Sequence, residues 1–254
     1  MKREVIFSPE PLSSDDPSLA LSLRLGLILM DISVRFLKDA AFSKDVTKVT
    51  DLHVENLWRR MLSASGTQLV TYGRDKLKKT PYLYMSNHLS LFDVPILFGA
   101  IPPSLRMVAK SELLKIPVFG KALEDSGFIV IDRANPKKAI AQLEKAKEHL
   151  RNGISVWIAP EGTRKRDPNI DMLPFKKGGF HTGVSLEIPI VPVWIDGTER
   201  VMSTDSQLAR PNQTVSVIFG DPIVTKGLAT SDVSALMKQV RSAMLALKNH
   251  DHTN

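Results

Sequence analysis

The run GFIVIDRANPKKAIAQLEKAKEHLRNGISVWI, from Gly127 to Ile158, decides the fold. Phe128 to Ile131 is a short apolar, β-branched run and reads as a buried strand ending in an acid and a cation, Asp132 and Arg133. Lys137 to Arg151 then places Ile140, Leu143, Ala146 and Leu150 on one side of a helix. Ser155 to Ile158 is a second apolar run. Strand, helix, strand is the unit of a parallel sheet, because parallel neighbours need a crossover that a helix supplies.

The same alternation extends both ways. Gln68 to Tyr72, Tyr82 to Met85 and Arg106 to Val108 read as strands before it, and Pro189 to Ile195 and Val215 to Phe219 as strands after it. Phe180 to Glu187 is a short helix. Ser231 to Lys248 is a longer one, with Ser231 as its N-cap and Val233, Leu236, Met237, Val240, Met244 and Leu247 as its apolar side. Thr204 to Gln213 reads as a polar surface loop. The expected fold is α/β: a layered, mainly parallel sheet with flanking helices. Ahead of Thr67 lie two helical stretches, Leu19 to Leu37 and Thr50 to Ala64, which suit a helical hairpin. The organisation expected is an N-terminal, membrane-associating helical segment, 1–65, followed by the α/β domain, 66–254.

The first helix bears on location. Arg24, Asp31, Arg35 and Lys38 share a narrow stripe, opposite a broad side of Leu21, Leu25, Leu29, Ile32 and Phe36. Such a helix suits the membrane interface or the protein's own core, and periodicity does not choose between them. Its charges leave no run near the ~20 apolar residues that span a bilayer. The start, MKREVIFSPEPLSSDDPS, is polar and lacks the apolar centre of a signal peptide.

The formal net charge of +7 favours anionic partners such as a lipid surface or a phosphorylated substrate. The basic residues are dispersed, without the aromatic–basic platform of a single-strand binder, so no nucleic acid is expected. There is no cysteine, which excludes disulfides, a thiol nucleophile and thiolate metal sites.

Four groups of residues could carry chemistry. His88 follows the strand Tyr82 to Met85, and Asp93 stands five positions later at a helix start. Across such a turn a carboxylate can reach an imidazole nitrogen, fix its tautomer and support proton uptake. Glu161-Gly162-Thr163-Arg164 follows the strand Ser155 to Ile158. There glycine lets amides approach a ligand, threonine offers a hydroxyl and arginine grips a phosphate with two donors. Lys165, Arg166 and Phe175-Lys176-Lys177-Gly178-Gly179 add further cations. Arg133 ends its strand much as Glu161 follows another. Ile188 to Val193 is a proline-bounded apolar strand whose face could line an acyl channel. Of the other histidines, His53 and His149 read as helix-surface residues, His250 and His252 as tail residues, and His181 as a second candidate. No cluster has metal-ligand spacing, so no metal is expected.

In this order and spacing, Asn87-His88 with Asp93 (the HX4D pattern), Gly127 to Arg133, Glu161 to Arg164 and Ile188 to Val193 resemble the glycerolipid acyltransferase family that includes the PlsC-like 1-acylglycerol-3-phosphate acyltransferases. Val108-Ala109-Lys110, Ile116 to Gly120 and Phe175 to Gly179 look like family segments too. The likeness covers roughly residues 67–222. It implies His88 as general base and Asp93 as its partner. It also implies Arg133, Glu161, Gly162, Thr163, Arg164 and Lys110 as residues that bind the acceptor's phosphate end. The implied reaction moves a fatty acyl group from acyl-CoA or acyl carrier protein to the free hydroxyl of 1-acylglycerol 3-phosphate, giving phosphatidic acid. The thioester is a co-substrate and no cofactor is implied. The implied partners are the bilayer and the lyso-lipid, and the implied location is the cytoplasmic face of the membrane, peripheral or monotopic. Many members have a serine where this chain has Lys165, which leaves open another acceptor, such as a lyso-ornithine lipid. A non-catalytic basic membrane-binding module remains as a different class of reading.

Overall fold

The structure, a computed structural model, describes residues 1–78, 81–102, 104–132, 136–164, 170–206 and 208–249. It opens with strand β1 (Arg3–Phe7), followed by two long helices, α1 (Leu19–Phe42) and α2 (Val46–Ser65). The side chains of Ser18 and Asp45 accept from first-turn amides and start these helices. The alternating part runs β2 (Gln68–Tyr72), β3 (Leu83–Ser86), α3 (Asp93–Ala100), β4 (Leu105–Lys110), α4 (Phe119–Asp125) and β5 (Ile129–Ile131). It continues with α5 (Pro136–Arg151), β6 (Ser155–Ile158), α6 (Gly178–Leu186), β7 (Ile190–Asp196), the single turn α7 (Thr198–Val201), β8 (Thr214–Phe219) and α8 (Val233–Lys248).

One sheet of eight strands results, in the order β1-β2-β8-β7-β3-β6-β4-β5. Its pairs are parallel except β1 with β2 and β7 with β8. The chain has the layered α/β form expected from the sequence, mainly parallel and flanked by helices. Helices cover both faces because the strands are apolar on both. In β6, Trp157 joins the core under α1–α4, while Val156 and Ile158 join the core under α5, α6 and α8.

Three details differ from the sequence reading, and one that it left open is decided. The expected helical segment 1–65 also holds β1, which pairs with β2 at the sheet edge. Only five residues long and largely exposed, it gives little periodic signal. The pair α1–α2 packs into the same core as the sheet, with Leu25, Ile32, Leu57 and Leu62 buried. Asp232, not Ser231, stands at the N-cap of α8. His53, expected on a helix surface, is buried, with Nε2 2.8 Å from Asp39 Oδ2.

The side of α1 that carries Leu21, Leu25, Ile32 and Phe36 faces the protein's own core. A different flank, Leu23, Leu27 and Val34, stands exposed. Among the described residues no helix is long and apolar enough to cross a membrane.

Candidate active site

Strand β3 lies in the middle of the sheet, and the site begins where it ends. The first residue beyond it, Asn87, is buried. Its side-chain amide donates to the carbonyl of Ile195 and its oxygen accepts from the Ile195 amide, both at 2.8 Å. The side chain thus continues the β3–β7 ladder by one rung after the backbone has turned away. Trp157 of β6 donates from Nε1 to Ser86 Oγ at 2.8 Å and stands edge-on to the His88 ring, centroids 5.6 Å apart. His88 leaves the sheet between these two supports.

Asp93, the first residue of α3, is fully buried. Its Oδ2 lies 2.6 Å from His88 Nδ1 and accepts the amides of Leu89 and Ser90 at 2.8 and 3.1 Å. The carboxylate therefore closes the turn 88–93 and also stands where a helix start favours negative charge. An ionised carboxylate only accepts, so the proton sits on Nδ1 and Nε2 is left as an acceptor. Among the described residues Nε2 has no hydrogen-bond partner, and His88 lines a cavity.

That cavity has a volume of about 1430 Å³. From His88 it runs beneath α3 between α1, α2 and α4, past Leu29, Leu57, Phe98, Phe119 and Phe128. Its wall is apolar, and the exposed side chains of Leu91 and Ile116 stand on its lining. The strand that follows Ile188 does not line it. Val191 and Val193 are sealed in the core beneath the helices, so the apolar wall comes from α1–α4 instead.

Beside His88 the same cavity is lined by Glu161, Gly162, Thr163, Arg164, Lys110 and Lys176. Gly162 holds φ at +73°, a conformation that suits glycine, in the turn that follows β6. Arg164 is half-buried and has no ion-pair partner among the described residues. Lys110 is half exposed and pairs with Glu112 at 3.2 Å. Glu161 behaves differently from its neighbours. It is buried, its Oε2 accepts the amide of Leu173 at 2.7 Å, and its carboxylate also faces the backbone amide of His88. Burial pushes its pKa up, against the lowering effect of those amides. The resemblance grouped Glu161 with the phosphate-binding residues; here its carboxylate is turned to the backbone amides of Leu173 and His88 and so links the 161–164 turn to His88.

Arg133, Lys165 and Arg166 lie outside the described residues, as do His250 and His252. His181 is exposed on α6 and is absent from the cavity lining. The glycines ahead of it serve packing, since a Cβ at Gly179 would stand 3.1 Å from side chains of both Ile158 and Met85. No group of three or more His, Asp or Glu side chains that could hold a metal ion occurs among the described residues.

The sequence reading placed Asn87 in the motif without a role, and it missed Trp157 and Thr198 as parts of the site. Thr198 donates from its hydroxyl to Asp93 Oδ1 across 105 positions of sequence. No local pattern signals such a partner.

With this geometry in place, comparison with known proteins assigns the class. Residues 68–196 match the acyltransferase family. The chain belongs to that family. It is 33% identical over 181 residues to a 1-acyl-sn-glycerol-3-phosphate acyltransferase of Saccharomyces cerevisiae, a stretch covering 71% of this chain and 59% of that one. It is 36% identical over 168 residues to the human 1-acyl-sn-glycerol-3-phosphate acyltransferase alpha, covering 66% of this chain and 58% of that one. The matched regions thus span less than two thirds of these relatives. The fold resembles the crystal structure of the 1-acyl-sn-glycerophosphate (LPA) acyltransferase PlsC from Thermotoga maritima. The TM-score is 0.73 at 25% identity, covering 91% of this chain and 94% of that one.

Proposed function

We propose that the protein transfers a fatty acyl group from a thioester, acyl-CoA or acyl carrier protein, to the free hydroxyl of 1-acylglycerol 3-phosphate. The observation that carries this reading is one cavity holding three things. They are an imidazole nitrogen and an arginine, neither with a partner among the described residues, and an apolar wall deep enough for an acyl chain. The relatives named for this activity support the acceptor.

In this mechanism His88 Nε2 takes the proton of the acceptor hydroxyl as its oxygen attacks the thioester carbonyl. The new C–O bond forms, the C–S bond breaks, and the imidazolium returns its proton to the departing thiolate. Asp93 stays ionised and steadies the imidazolium. The transfer changes no oxidation state, and the thioester enters as a co-substrate. Arg164, with Arg133, Lys110 and Lys176, receives the phosphate. Thr163 adds a hydroxyl donor and Gly162 lets the backbone come close. Glu161 braces His88.

The protein works at a membrane surface in this reading, peripheral or monotopic, on the cytoplasmic face. Exposed Leu23, Leu27 and Val34 on α1 give it an apolar flank, and Leu91 and Ile116 give the cavity an apolar edge. The test is an initial-rate assay of the purified protein with paired acyl-CoA and acyl-carrier donors against a panel of lyso-lipids. The reading requires a clear preference for the phosphate-bearing acceptor. A strong preference for a lyso-ornithine lipid would move the chain to the alternative acceptor, and no transfer to any acceptor would reject catalysis.

A further inference from the structure

Asp93 has two oxygens, and the proposed dyad accounts for only one of them. Oδ2 takes His88 Nδ1 and the amides of Leu89 and Ser90. Oδ1 takes the hydroxyl of Thr198, its one donor among the described residues. Both residues are fully buried. In so dry a place an unfilled carboxylate oxygen is strongly disfavoured, so this single hydroxyl matters.

The chain places that hydroxyl with care. Strand β7 ends at Asp196, and Gly197 turns back with φ at +97°. Thr198 then begins α7 and meets the first residue of α3. The far end of α7 is fastened to the same turn, where Ser90 Oγ donates to the carbonyl of Met202 at 2.6 Å. Asn87 ties β7 to the strand ahead of His88. The one-turn helix is therefore pinned at both ends to residues 90–93.

We propose that Thr198 is a positioning residue for acyl transfer, acting through Asp93 by filling Oδ1 and fixing the carboxylate plane against the His88 ring. This rests on the reading of His88 as base and Asp93 as its partner. Without the hydroxyl the carboxylate keeps its charge with one donor fewer. It then holds the proton shared with the imidazole more tightly, and it is free to swing. The base is freed only at higher pH and meets its substrate less often in the right geometry. Other titratable groups near the dyad are Glu161 after β6 and Glu199 on α7, each carboxyl pushed up by burial. Asp196, Arg200 and Arg241 act on those two, and the substitutions below leave all five in place.

The experiment compares the full-length protein with Thr198→Val, Thr198→Ser and His88→Ala, measuring kcat, KM for the acceptor and the pH profile of kcat. Thr198→Val keeps the shape and removes the donor. It should lower kcat about 10- to 100-fold and move the acid limb upward by about one pH unit, leaving the acceptor KM unchanged. Thr198→Ser keeps the donor and should restore both rate and profile. If Thr198→Val fails to fold, Thr198→Ala gives the same readouts. A folded Thr198→Val or Thr198→Ala with the original rate and profile, beside an inactive His88→Ala, overturns the role of Thr198 alone. A loss of rate with an unmoved acid limb that Ser does not restore also overturns it. A fully active His88→Ala overturns the underlying reading instead.

Discussion

The two sides of the cavity mouth are built on opposite principles. On the β3 side every acceptor of Asp93 is filled, by an imidazole, two amides and a hydroxyl, and Trp157 and Asn87 hold the surroundings. On the β6 side the turn 161–164 leaves Arg164 half-buried and without an ion partner among the described residues. Glu161 is tied down there, and it is tied to the backbone. A catalytic base must arrive at one geometry before substrate does. A binding cation gains from waiting unpaired, because a salt bridge already made would have to be broken first. On the proposed reading, the difference separates a finished half, which would set rate, from an open half, which would set affinity.

Substitutions on the two sides should therefore part company in kcat and KM. Asp93→Asn offers a donor to Nδ1, which moves the ring proton to Nε2 and removes the acceptor. The comparison predicts a fall in kcat of about 10³- to 10⁴-fold with little change in acceptor KM, read by steady-state kinetics. Arg164→Ala belongs to the open side. It should raise the KM for a phosphate-bearing acceptor about 10- to 100-fold, the worth of a charge-assisted hydrogen bond, with a much smaller change in kcat at saturation. Equal effects of the two variants on kcat would erase the division.

The smallest effect belongs to a third region. A deletion of residues 1–65 would remove β1 and about a quarter of one core's buried residues, so it cannot isolate membrane contact. Leu23→Glu with Leu27→Glu changes only exposed positions. Flotation with anionic liposomes should fall while the rate on a water-soluble short-chain acceptor stays within about twofold, since surface substitutions of this kind barely touch stability. Undiminished flotation would remove α1 from the membrane contact.

What was readable in the sequence follows from the range of each interaction. The strands and the longer helices from Gln68 onward declare themselves through neighbouring side chains, whereas the short α4 and α7 do not, and Asp93 reaches His88 within one turn. Strand β1 escaped because five exposed edge residues carry almost no pattern. Thr198 escaped, and Asn87 stood in the motif without a role, because their partners are brought close only by the sheet order, which places β7 beside β3. Glu161 was read with its neighbours in the motif, yet its direction depends on Leu173, a contact made by a loop whose path no local signal gives. The broad apolar side of α1 was correctly seen, but periodicity could not say that the core, not lipid, takes it.

The most direct measurement is the rate of acyl transfer by purified His88→Ala, compared with the unaltered protein on a phosphate-bearing lyso-lipid. If His88 Nε2 removes the hydroxyl proton, kcat drops by a factor of about 10³ or more while the variant stays folded. Transfer at the original rate by the folded variant would contradict the account.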